Sequence, residues 1–126
     1  MLISPDRCID QIMLTPYSRG KHDCWWLVTK WYNDVLGITL NERDGARSVK
    51  QGFEASCDWA SVDTPEDHDV VLMSRRMGRR LVTPGHAGIF IDGLILHTID
   101  GAGPRIEKIE AEHLVHSFQR HLSRIA

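Results

Sequence analysis

The chain has 126 residues, of which 42% are hydrophobic and 25% charged, with a formal net charge of -2. That length buries about two thirds of an unfolded chain's surface, enough for one core without disulfides, so residues 1–126 are read as a single domain. The weak acidic balance argues against nucleic acid as a partner, because phosphate-backbone binding needs a cationic surface. No stretch approaches the ~20 apolar residues of a membrane span and the start MLISPDRCIDQIMLTPYS has no secretory pattern, so no membrane partner is expected. The expected location as synthesised is the cytoplasm.

In chain order, Ser4 to Met13 carries Cys8, Ile9, Ile12 and Met13 at near-helical spacing, and Pro5 suits a first turn. A short helix is predicted there, followed by a loop over TPYSRGK. From Cys24 to Leu36 the apolar residues Leu27, Val28, Trp31, Val35 and Leu36 repeat at three and four, with Gly37 as the stop. Asp23 precedes this helix and is assigned a capping role. Asn41 to Thr64 is read as a second helix and a loop around Val49, Phe53 and Ala60. Asp69 to Ser74 reads as a strand, and Arg75 to Thr83 as a basic turn or hairpin.

The strongest local signal lies further on. Ala87–Ile91 and Leu94–Thr98 are β-rich runs joined by Asp92-Gly93, a pair suited to a two-residue turn with positive φ. Such a turn pairs Ile91 with Leu94, Phe90 with Ile95, Ile89 with Leu96 and Gly88 with His97. Alternation then puts His86, Gly88, Phe90, Ile95 and His97 on one face. Ala87, Ile89, Ile91, Leu94, Leu96 and Thr98 form the other, apolar face. His86 and His97 are diagonal neighbours about 7–8 Å apart at the backbone, within reach of two imidazoles, with Gly88 leaving room beside them. The histidine face is expected to meet the start of the Cys24 helix. Helices followed by an antiparallel meander predict an α+β fold.

A cysteine at a helix start, a strand histidine and a second histidine to orient it make up a thiol nucleophile, its base and the base's partner. Cys24, His86 and His97 are therefore the candidate catalytic residues. Cys8 and Cys57 read as buried apolar residues, and the three cysteines match no zinc spacing. His113, His116 and His121 lack a completing carboxylate or cysteine, so no metal and no cofactor are expected. Arg75, Arg76, Arg79 and Arg80 read as a solvated turn. The segment Glu110 to Leu122 is open between a helix and a returning strand.

These residues resemble the NlpC-type cell-wall cysteine peptidases, a papain-like family, and in particular its short phage-tail versions. The likeness runs through Thr15-Pro16-Tyr17, Asp23-Cys24 with Leu27-Val28, Gly37-Ile38, Asp69-Val70-Val71-Leu72, His86-Ala87-Gly88-Ile89 and His97. It implies a papain-like fold in which Cys24 attacks an amide in the peptide stem of peptidoglycan, with His86 as base and His97 as orienter. It also implies a location in a virion tail or delivery to the cell envelope, with phage tail proteins as partners. Tyr17 corresponds to a tyrosine that assists the oxyanion or substrate. Trp26 stands where the family commonly has glycine, which bears on substrate choice. Two alternatives stay open: an inactive structural tail-assembly protein, and a thiol amidase, acyltransferase or toxin with a non-wall substrate.

Overall fold

The computed structural model describes residues 1–40, 58–77, 80–108 and 113–125. Two helices, α1 (Pro5–Met13) and α2 (Cys24–Leu36), precede strands β1 (Trp59–Val62), β2 (Val70–Met77), β3 (Arg80–Ile91), β4 (Leu94–Ile99), β5 (Gly103–Glu107) and β6 (His113–His121). Among the described residues the strands form one sheet in the order β1-β6-β2-β3-β4-β5, and every pairing is antiparallel. The α+β architecture is thus two helices packed on a six-stranded antiparallel sheet. None of the described helices is long and apolar enough to cross a membrane.

Both helices begin and end where local chemistry dictates. Ser4 caps α1 by accepting from the Arg7 N–H, and Pro5 occupies a first-turn position where a missing N–H costs nothing. Asp23 caps α2 by accepting from the Trp26 N–H at 3.0 Å, and Gly37 ends it in the left-handed region at φ 69°. The apolar stripe of α2 is driven inward: Leu27, Val28 and Trp31 are fully buried, each removal from water contributing about 1.5–3 kcal/mol.

Strand alternation divides the sheet's apolar residues between two clusters. Val70, Leu72, Ala87, Ile89 and Leu96 join Cys8, Ile12 and the buried residues of α2 in the larger core. On the opposite face Val71, Met73 and Ile95 gather Phe90, Val115 and Phe118.

The β3–β4 hairpin has the expected register, Ile91↔Leu94, Phe90↔Ile95 and Ile89↔Leu96. Its turn has φ 54° at Asp92 and 78° at Gly93, the double positive φ that a two-residue hairpin demands. The ladder ends at Ile89↔Leu96, one pair short of the expected Gly88↔His97. One strand replaces an expectation and another decides between two alternatives. Trp59–Val62 is an edge strand instead of loop, since it can pair with β6 through Trp59↔His121 to Val62↔Phe118. The returning segment is the strand alternative, inserted between β1 and β2. Arg75–Thr83 is the hairpin alternative, with β2 and β3 extended through Met77↔Arg80. The helix expected around Val49 and Phe53, and Cys57, lie outside the described residues.

A buried ionic knot fastens the loop before β2 to the end of the chain. Asp69, fully buried, accepts from Arg120 Nε at 3.0 Å and Nη2 at 2.7 Å, from Arg124 Nη1 at 2.9 Å and from the Glu66 N–H at 2.7 Å. Burial alone would raise its carboxyl; the Arg120, Glu66 and Arg124 hydrogen bonds outweigh that and hold it below the usual range. Next to it His68 takes φ 81°, accepts at Nδ1 from Trp31 Nε1 at 3.1 Å and gives its carbonyl to the Tyr32 hydroxyl. Burial, then Arg124, lowers the His68 pKa and keeps that accepting nitrogen bare.

Candidate active site

The site is assembled at the end of the β3–β4 ladder. His86 pairs across β2 with Met73, and beyond it towards Ile91 the strand carries Gly88. A Cβ on Gly88 would lie 2.8 Å from Ile95 Cγ2, 2.9 Å from the Leu96 carbonyl oxygen and 3.0 Å from His97 Cβ, closer than side chains tolerate. Glycine thus permits β4 to lie against β3 at this point. The consequence is a direct bond: His86 Nε2 and His97 Nδ1 are 2.7 Å apart, with ring centroids 5.0 Å apart. His97 is only 1% exposed, whereas His86 is half-buried.

Glu107 is the residue that sequence reasoning missed. Its Oε1 lies 2.7 Å from His97 Nε2. In the β4–β5 register Glu107 faces Ile95 and Arg105 faces His97, so Glu107 shares the histidine face one diagonal away. The signal was the turn Asp100-Gly101-Ala102 followed by the strand Gly103-Pro104-Arg105-Ile106-Glu107, a second hairpin whose register the sequence leaves ambiguous.

Cys24 occupies the first position of α2, and its Sγ lies 4.0 Å from the carbonyl oxygen of Gly85, the residue before His86. The helix packs on the apolar face through Ala87, Ile89 and Leu96, and its start comes to β3 at Gly85, beyond the last β3–β4 pair. The physical reason is that the helix stripe seeks the wholly apolar face, so only its first residue reaches the strand end. There its backbone N–H belongs to the turn that has no intrahelical acceptor, and the helix dipole favours an anion.

The loop before α2 is closed by a two-way backbone bridge between Ser18 and His22. Tyr17 precedes that bridge and is half-buried; burial first, then Asp100, Cys24 and Asp23, raise its phenol pKa. It therefore remains a protonated donor in the electrostatic neighbourhood of the thiol. Asp23 is committed to the Trp26 N–H, as its capping role requires. The Trp26 ring stacks edge-on with His22 at 4.8 Å and borders a hollow of about 300 Å³ with Thr29, Lys30, Asn33 and Leu40. The remaining cysteine of the described helices, Cys8, is fully buried and its thiol is pushed up to about 11, by burial above all. Among the described residues no group of three or more His, Cys, Asp or Glu side chains is arranged to hold a metal.

The chain matches no family model and no curated sequence.

Proposed function

We propose that this protein is a papain-like cysteine peptidase that hydrolyses an amide in the peptide stem of peptidoglycan, as a phage tail or prophage component. The observation that carries the reading is the 2.7 Å bond between His86 Nε2 and His97 Nδ1 at the strand end where the Cys24 thiol lies beside Gly85. Because Nε2 of His86 is committed to His97, Nδ1 is the nitrogen that serves the sulfur. In the first step the Cys24 proton passes to His86 Nδ1 and Sγ attacks the scissile carbonyl. The imidazolium returns that proton to the leaving amine, and the acyl group stays on sulfur. A water deprotonated by the same Nδ1 then breaks the thioester. The oxyanion formed in each step accepts from the Cys24 backbone N–H, and the Tyr17 hydroxyl, kept protonated, is a second donor.

Incubation of the purified protein with muropeptides, followed by mass spectrometry, tests the assignment. Stem-peptide cleavage that is lost in Cys24→Ala and in His86→Ala is expected. Cleavage that survives either substitution refutes the mechanism, and intact muropeptides with the native protein refute the substrate.

A further inference from the structure

We infer that Glu107 is a positioning residue whose carboxylate, acting through buried His97, sets the tautomer of His86 that can accept a proton from Cys24. The inference rests on the thiol–imidazole reading above, but not on the identity of the substrate.

Two short bonds fix the proton positions. A carboxylate can only accept, so the 2.7 Å contact between Glu107 and His97 requires a proton on His97 Nε2. A neutral imidazole carries one proton, so His97 Nδ1 is then bare. The 2.7 Å contact from His97 Nδ1 to His86 Nε2 therefore requires His86 to donate, which puts the His86 proton on Nε2. Neutral His86 is left with its lone pair on Nδ1. When the thiol ionises, its proton moves to that nitrogen and the imidazolium charge is met through His97 by the Glu107 carboxylate. Each ring keeps its Nε2–H, no bond to carbon changes, and the proton count is conserved.

Burial makes this ordering decisive. His97 is 1% exposed and the Glu107 side chain 24% exposed, so water competes little for the ring nitrogens and the chain of donors has one direction. The other charged and titratable groups near the relay do not replace the carboxylate. Arg105, opposite His97 on β5, is cationic and exposed; Met73, opposite His86 on β2, is apolar. At the sulfur end, Asp23 is engaged by the helix, while Tyr17 and Asp100 lie in the field of the loop. Glutamine at position 107 removes the directionality as well as the charge: its amide can present oxygen or nitrogen to His97. The nitrogen-facing arrangement reverses both bonds and puts a proton on His86 Nδ1, where the base must be bare.

Nitrogen-15 NMR of the histidine rings, which distinguishes the two neutral tautomers, tests the inference without any substrate. In the native protein, above the histidine titration, His86 and His97 are expected as Nε2–H tautomers. Glu107→Gln is expected to give a mixture and to raise the pH midpoint for iodoacetamide labelling of Cys24 by about half a unit or more, with Glu107→Asp recovering most of the shift. A native His97 protonated on Nδ1 overturns the inference even if the glutamine variant does not fold. So does a folded Glu107→Gln with unchanged tautomers and an unchanged labelling profile. Ordered tautomers in a protein that leaves muropeptides intact would instead refute only the proposed substrate.

Discussion

Replacing Asp69 by alanine removes the acceptor at the centre of the knot between the β2 entrance and the chain end. The carboxylate is fully buried and receives four hydrogen bonds, three from the Arg120 and Arg124 guanidiniums, whose side chains are only 15% and 18% exposed. The substitution strands two part-buried cations and one backbone N–H, and breaking such a pair from one side costs about 3–5 kcal/mol. A domain of this length has roughly 6–19 kcal/mol of stability, so the variant folds with a much reduced urea midpoint and an unchanged slope. The acid dependence has a definite sign. The native carboxyl lies below its unfolded value of about 3.9, so its contribution is complete above that pH and is lost as pH falls through the native pKa. Asp69→Asn should remove this part of the acid slope. Urea titrations of both variants at neutral pH and down to about pH 3 measure the effect. An alanine variant within 1 kcal/mol of the native protein would refute the reasoning, for that is the range of an exposed ion pair.

Other consequences can be measured separately. Gly88→Ala must push a Cβ away from the Leu96 carbonyl and His97; it is expected to cost about 1–3 kcal/mol in urea unfolding and to slow Cys24 labelling by loosening the histidine pair. Cys8, buried and pushed up to about 11, should resist iodoacetamide in the native protein at pH 8 and react only in denaturant, which peptide mapping by mass spectrometry reads out. His68 should titrate below the ordinary histidine range by NMR. Because its native pKa is lowered, it stabilises the fold fully above about pH 6.5, and that contribution declines as pH falls from there towards the native value.

The parts that were legible in the sequence are those with local causes. Asp92-Gly93 fixed the hairpin register because a two-residue turn admits one twist, and that register placed His86 beside His97 without any long-range information. Asp23 and Gly37 marked the limits of α2 for the same reason. What escaped was non-local. Glu107 lies on a strand that follows the Asp100-Gly101-Ala102 turn, a glycine-containing loop that allows several registers, and Arg120 lies fifty-one residues from the Asp69 it holds. In β6, Leu114, Val115 and Phe118 sit at intervals of one and three, which suit a helix as well as a bulged strand; the β2–β6 ladder does shift between Leu72 and Met73. The side of the sheet taken by α2 follows from burial of its stripe, which requires the apolar face of Ala87, Ile89 and Leu96.

Strand β6 lies between β1 and β2, two strands that neighbour each other in the chain but never touch as a pair. A growing or refolding chain can close the β2–β3 and β3–β4 hairpins early, since each joins nearby residues. Trp59–Val62, by contrast, pairs among the described strands with residues 113–121, far along the chain. Completion of that half of the sheet is a late, long-range event, slower than hairpin closure because the loop must be ordered before any contact rewards it. Until then β2 presents an open edge, and the arginines that later clasp Asp69 arrive with the strand that covers it.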